Sequence, residues 1–145
     1  MIKVENSVVI NRPVDEVFEF VSNIENLPQW AGPVMEAKQT SDGPIGVGTT
    51  QTQVAKFLGR RIETSQEVTE YEPNKKLSTK STSGPLPMEV HYILQPTAEG
   101  TRVSLVGNVD AEGFFKLAEP IVGRMLNRQT ASDAANLKDL LEAQA

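Results

Sequence analysis

The sequence predicts an α+β domain in which an antiparallel sheet packs on a long C-terminal helix. Three patterns carry this. Residues 2–10 alternate with period two, residues 34–110 fall into short strand-like runs separated by turn residues, and residues 114–143 carry apolar residues at helical spacing. A chain of 145 residues, 39% hydrophobic and 23% charged, is long enough to bury one core. A single domain over residues 1–145 is therefore expected.

The elements follow in order. Ile2, Val4, Val8 and Ile10 share one parity and Lys3, Glu5 and Ser7 the other, as in a half-buried strand. Asn6 is the polar exception on the apolar side. Pro13 is placed to start a helix, since a first helical residue needs no N–H. Asp15 and Glu16 suit the positive end of its dipole. Val14, Val17, Phe18 and Val21 form its apolar stripe. Ser22-Asn23 ends it, and a short second helical turn runs through Ile24, Leu27 and Trp30. Strands are expected over 34–40, 48–58, 61–72, 76–82, 87–96 and 101–110. The breaks at Asp42-Gly43-Pro44, Gly59-Arg60, Pro73-Asn74, Ser83-Gly84-Pro85 and Glu99-Gly100 predict consecutive hairpins. In the last segment Phe114, Leu117, Ala118, Ile121, Val122 and Met125 form a stripe, with Pro120 and Gly123 expected to bend the helix. Continued, that stripe would meet Arg128, Gln129, Ser132 and Asn136. The apolar face resumes instead at Leu126, Ala134, Leu137, Leu140 and Leu141. Such a rotation fits a helix crossing a curved sheet with a cavity beneath its middle.

Composition removes several function classes. A net charge of -5 gives no counterion-release energy with DNA or anionic lipid, so nucleic acid is not an expected partner. The absence of cysteine excludes disulfides, thiolate metal sites and cysteine nucleophiles. One histidine, His91, cannot make a multi-histidine metal site. Its parity, opposite to Tyr92, puts it on the convex face beside Glu89. No carboxylate cluster has ligand spacing, and Gly46 and Gly48 lack the strand–loop–helix context of a phosphate loop. No cofactor is expected. The N-terminus lacks the basic start and apolar run of a signal peptide. No stretch approaches the ~20 apolar residues that span a bilayer. The expected location is cytoplasmic, without stable membrane insertion, and the oligomeric state is left open.

Several stretches together resemble the START-like, or SRPBCC, superfamily of polyketide cyclase/dehydrase and lipid-transport proteins. They are Val8-Val9-Ile10-Asn11-Arg12-Pro13-Val14-Asp15-Glu16-Val17-Phe18, Asn26-Leu27-Pro28-Gln29-Trp30, Gly46-Val47-Gly48-Thr49, Glu70-Tyr71-Glu72-Pro73-Asn74-Lys75-Lys76-Leu77 and Asn136-Leu137-Lys138-Asp139-Leu140-Leu141-Glu142. They are patterns of turns, caps and core positions rather than a catalytic signature, and they cover nearly the whole chain. The resemblance implies the helix-grip fold: a curved seven-stranded antiparallel sheet wrapped around a long C-terminal helix, with two short helices after the first strand. It also implies a cavity between the sheet's concave face and that helix. The fold hosts binders, cyclases, hydrolases and chaperone regulators, so function has to be argued from the site.

Strand parity names the expected lining. Met88, Val90, Tyr92 and Leu94 would face in on one strand, Val103, Leu105, Gly107 and Val109 on the next, and Ile62, Thr64, Gln66 and Val68 on a third. Thr50, Thr52, Val54 and Leu58 are assigned inward on the second strand, although Phe57 argues for the opposite parity. Leu117, Ile121 and Met125 would supply the helix side, and Asn6 and Trp30 complete the set of expected ligand contacts. Trp30 is either a gate or a packing anchor. Asn6, Thr52, Thr64, Gln66 and Tyr92 are either ligand-directed groups or a self-satisfied polar core. The expected function is binding or carriage of a hydrophobic small molecule such as a lipid, quinone, polyketide or aromatic metabolite. The alternatives are a polyketide cyclase/aromatase-type enzyme or a protein-interaction module. Catalysis would need proton-moving groups beside the ligand. Only Tyr92 and Asp133 qualify, and Asp133 reads more readily as an exposed carboxylate, so the balance leans away from an enzyme.

Overall fold

The computed structural model describes residues 2–57, 59–84, 86–110, 117 and 119–143. The expectations placed on Leu58, Pro85, Phe114 and Ala118, and the predicted first residues of the last helix, lie outside the described residues.

The chain runs β1 (Ile2–Ile10), α1 (Val14–Ser22), a 3-10 turn (Ile24–Asn26), α2 (Leu27–Trp30), β2 (Val34–Gln39), β3 (Thr50–Phe57), β4 (Arg60–Glu72), β5 (Lys76–Ser83), β6 (Met88–Thr97), β7 (Gly100–Val109) and α3 (Glu119–Ala143). All seven strands join one antiparallel sheet in the order β1-β7-β6-β5-β4-β3-β2. β2 joins β3 across the ten residues 40–49, and the meander from β3 to β7 follows from the short turns. The closing of β1 onto β7, Ile2 opposite Val109 and Ile10 opposite Thr101, does not.

Pro13 sits one residue before α1 rather than within it. Its backbone is extended (φ -61°, ψ 147°), and its carbonyl accepts the Val17 N–H at 3.1 Å, so Val14 is the first helical residue. Val17, Phe18 and Val21 are buried as the spacing requires. Asn23 ends α1, and its side-chain oxygen accepts the Glu25 N–H, which starts the next turn.

The long helix α3 lies along the open edge of β1 and satisfies it. Asn127 accepts the Glu5 N–H and donates to the Lys3 carbonyl, both at 3.4 Å. Lys138 donates to the Val9 carbonyl and Glu142 accepts the Asn11 N–H, each at 2.9 Å. Polar helix side chains thus stand in for the strand that β1 lacks on that side, and they cap an edge otherwise open to pairing. Asn6 belongs to the same seam: its amide donates to the Asn127 carbonyl at 3.2 Å.

The helix is seated on two apolar clusters. Ile10, Phe18, Trp30, Val103 and Leu137 are among the larger cluster, under α1, α2 and the C-terminal half of α3. The smaller joins Ile2, Val4, Ile62, Leu86, Val109 and Val122 under its N-terminal half. The face that α3 buries carries Val122, Ala134, Leu137 and Leu141. The expected stripe through Leu117, Ile121 and Met125 is turned outward, with exposures of 91%, 58% and 37%. These three residues therefore do not roof the interior. Val122, one position on from Ile121, points in and is fully buried, so the inward face had already rotated before residue 125.

A candidate ligand cavity between the sheet and the long helix

The two clusters do not meet. Between them, beneath the middle of α3, is a cavity of about 220 Å³. Its floor comes from the sheet: Val4 of β1, Met88, Val90 and Tyr92 of β6, and Leu105 and Val109 of β7. Period-two parity aims these side chains to one side, and the antiparallel register sets Tyr92 opposite Leu105. Trp30 and Ala31, at the end of α2, form an end wall. Trp30 is buried (4% exposed) and meets Tyr92 edge-on, ring centroids 6.1 Å apart at 67°. Pro33 and Val34 continue this wall toward the surface.

The roof comes from α3 and is mostly polar. Leu126, Gln129, Thr130 and Asp133 line the cavity, one helical face at i, i+3, i+4, i+7. Gln129 is one of the residues that break the apolar stripe in the sequence. The other three, Arg128, Ser132 and Asn136, are exposed and continue the outward side of the helix that carries Ile121 and Met125. Asp133 is not the exposed carboxylate expected of it. Its Oδ1 accepts the Gly32 N–H at 3.0 Å and the Gln129 amide at 2.8 Å. Oδ2 accepts no hydrogen bond among the described residues. Burial pushes the Asp133 carboxyl above its ordinary pKa, and the Gly32 and Gln129 donors pull part of the way back. Burial likewise pushes the Tyr92 hydroxyl up to about 12, with the Asp133 charge adding to the rise. A carboxylate and a phenol thus share one apolar space.

This arrangement costs stability, and the cost has a sign. The native pKa of Asp133 lies above its unfolded value. Between the two, the native protein holds more protons, and stability falls as pH rises. Asp133→Asn keeps the Oδ1 acceptor and removes the buried charge. The variant is expected to be at least as stable as the parent near pH 7, with the difference shrinking as pH falls through the raised native pKa and vanishing below the unfolded one. Thermal melts of both proteins across that range check it.

A smaller chamber of about 40 Å³ lies behind Tyr92 and shares Leu27, Gln53, Val90 and Tyr92 with the main cavity. Gln51, Gln66 and Thr79 complete its polar wall. Gln66 lines this inner chamber. Trp30, Met88, Val90, Tyr92 and Leu105 line the main cavity. Thr64 is buried but borders neither space; its hydroxyl lies under Gly84. Thr52 faces the convex side with Glu36, Lys38 and Glu63. The error is the parity of β3. Gln51, Gln53 and Ala55 stand opposite the inward Gln66, Thr64 and Ile62, whereas Thr50, Thr52 and Val54 stand opposite Glu67, Ser65 and Glu63. Phe57 carried the available signal. Two residues separate it from Arg60, so the hairpin register transfers the parity of β4 to β3 directly. Asn6 serves the β1–α3 seam rather than the cavity.

His91 is on the convex face, opposite in parity to Tyr92, but it is engaged rather than free. Its Nδ1 lies 2.6 Å from Ser78 Oγ and 3.8 Å from Glu70 Oε1. The same ring nitrogen faces both groups, so no proton can pass from serine through the ring to the carboxylate as a hydrolytic triad requires. Lys76, 3.1 Å from Glu70, completes this cross-strand cluster. By its hydrogen bond to Glu70, helped by one from Ser78, it holds that carboxyl below the usual range. A larger depression of about 510 Å³ lies outside the sheet–α3 interior, between α1 and residues 39–45. Asp15, Glu19 and Glu25 rim it, which does not suit an apolar ligand. Among the described residues no group of three His, Asp or Glu side chains could hold a metal ion, and no helix is long and apolar enough to cross a membrane.

A seven-stranded antiparallel sheet closed over a long C-terminal helix, with two short helices after the first strand, defines the helix-grip class. The chain belongs to the polyketide cyclase / dehydrase and lipid transport family, whose sequence model matches residues 1–142. Solved structures share the architecture. The crystal structure of TTHA0849 from Thermus thermophilus is 20% identical, with 99% of each chain covered and a TM-score of 0.85. The Zhui aromatase/cyclase from a Streptomyces species is 12% identical over 98% of this chain and 94% of that one, with a TM-score of 0.79. A START superfamily protein from Mycobacterium smegmatis is 16% identical over 99% and 97%, with a TM-score of 0.75. At these identities the likeness is one of fold. A search of curated proteins finds no match.

Proposed function

We propose that the protein binds and carries a hydrophobic small molecule in the cavity between the sheet and α3. The observation that carries this reading is the gap itself. Two well-packed clusters leave unfilled a space floored by Val4, Val90, Leu105 and Val109, at a position where further leucine or phenylalanine side chains would have closed an ordinary core. A largely apolar floor with a few polar groups across from it suits such ligands. Native mass spectrometry of the purified protein, followed by organic extraction, tests it. The expected result is a bound apolar molecule, lost in a folded Tyr92→Phe or Gln66→Ala variant. A clean unliganded mass that does not shift with lipids, quinones or aromatic polyketides would sink the reading.

A second reading is favoured by one specific observation: Asp133 and Tyr92 line the same cavity, and each has its proton affinity raised. A half-buried carboxylate with one anchored oxygen is suited to take a proton from carbon beside a carbonyl, and a neutral phenol to hydrogen-bond the oxygen where charge develops. The aromatase/cyclase among the structural neighbours supports an enzyme of that kind without specifying its substrate. The two readings part on Asp133→Asn: a carrier retains its ligand affinity, and an enzyme retains affinity but loses turnover.

A further inference from the structure

The inner chamber narrows what the ligand is. Along its polar wall, beside the hydroxyls of Ser22, Thr79 and Tyr92, runs a chain of three amides. Gln53 Nε2 donates to Gln66 Oε1 at 3.4 Å, and Gln66 Nε2 donates to Gln51 Oε1 at 2.9 Å. Gln66 uses one donor and its acceptor inside the chain. The Gln51 amide nitrogen and the Gln53 amide oxygen are left without a hydrogen bond among the described residues. Neither is fully buried, since no fully buried side-chain polar atom among the described residues lacks a partner. Reversing all three amides exchanges the ends but keeps their chemistry: open amide N–H groups and one open amide oxygen stand along the wall of the 40 Å³ chamber. A hydroxyl is the small group that satisfies both. A carbonyl leaves the acceptor unpaired, and a carboxylate or ammonium would be buried there with no counter-charge on the chamber wall.

Size supplies the other limit. An apolar cavity of ~150 Å³ accommodates benzene. The main cavity's 220 Å³ therefore encloses a substituted ring or two fused rings, and a four-ring body or a diacyl lipid would have to extend out of it. We infer that the ligand is a neutral one- or two-ring alcohol or phenol, with its ring body against Val90, Leu105 and Trp30. Its hydroxyl passes Tyr92 into the inner chamber and closes the amide chain between Gln51 and Gln53. This rests on the hydrophobic-ligand reading and specifies the ligand's shape and its one polar group.

The test is isothermal titration calorimetry with 2-naphthol, 2-methylnaphthalene and 2-naphthoate. The site is read in parallel from the indole NMR signal of Trp30, the only tryptophan in the chain. The expected order is 2-naphthol roughly tenfold tighter than 2-methylnaphthalene, with 2-naphthoate weakest. Gln66→Met, which keeps the volume and breaks the amide chain, should erase the preference for 2-naphthol and leave 2-methylnaphthalene unchanged. Gln53→Met, at a less buried position, does the same if Gln66→Met does not fold. Equal affinity for the first two probes, with the Trp30 signal shifting for both, would overturn the hydroxyl assignment: the chamber would then be a water site, and the hydrophobic-ligand reading would stand. Binding of long-chain fatty acids but of none of the three probes would overturn the size assignment and again leave that reading intact. No binding of any of them, with the Trp30 signal unmoved, would overturn both.

Discussion

Gly100→Ala is expected to destabilise the protein by roughly 3 kcal/mol or more, enough to lower its yield of folded protein. Two costs combine. Gly100 adopts φ +143°, a conformation that L residues rarely take. A Cβ there would stand 2.1 Å from the Ile10 carbonyl oxygen and 2.8 Å from the Arg12 nitrogen, both backbone atoms that cannot swing aside. The site is where β7 begins beside the end of β1, and Thr101 reinforces it by donating to the Arg12 carbonyl at 2.9 Å. The β1–β7 pairing depends on this approach. Gly43→Ala is the control. Its φ of +89° carries the conformational cost, but nothing lies within 4 Å, and ~1 kcal/mol is expected. Urea unfolding of both variants separates the steric part from the conformational part. Equal losses would show that the contact with β1 yields easily.

Trp30→Ala is expected to cost about 3–5 kcal/mol, in the range for truncating a large buried aromatic residue. Trp30 belongs both to the larger core cluster and to the wall of the cavity. Its removal takes away the edge-on contact with Tyr92 and joins new empty volume to a space that already exists. The surroundings are held in place, because the Trp30 carbonyl accepts the Asn136 amide at 3.3 Å and Gly32 is held by Asp133. The wall therefore collapses only partly and the cavity grows. Trp30→Phe should cost less, since most of the volume is kept. Chemical denaturation gives the energies. The same variants, titrated with ligands of increasing size, should show the alanine protein accepting bodies that the parent excludes. A Trp30→Ala protein as stable as the parent would mean that this side chain is not a supporting wall.

The proposed chemistry rests on residues that differ in how far the sequence reveals them. Met88, Val90, Tyr92 and Leu105 were legible because each lies on the more apolar parity of a strand flanked by clear turns, despite Ile93 and Val106 on the other side. Gln51 and Gln53 were not, because β3 alternates without a distinct apolar side and its parity comes from the hairpin with β4. Asp133 was legible as a position but not as a group. Whether a carboxylate on a rotated helix face meets solvent or a cavity depends on what lies beneath it. Leu117, Ile121 and Met125 form a regular apolar stripe, and regularity proved the weaker guide: the sheet contacts α3 through Val122 and Leu126 at one end and Leu137 and Leu141 at the other.

The features readable from the chain alone are local ones. Period two, turn glycines, helix starts and the absence of cysteine set the order of elements, the meander from β3 to β7 and the exclusion of thiolate metal chemistry. These depend on backbone preferences and on spacing along the chain. Three-dimensional packing settled where β1 closes the sheet, which face of α3 points inward, and that Gln51, Gln53, Gln66, Tyr92 and Asp133 border two adjoining cavities. Those are properties of surfaces brought together from distant parts of the chain. A side chain's burial there is fixed by the curvature of the sheet and the path of the helix, and no window of neighbouring residues contains either.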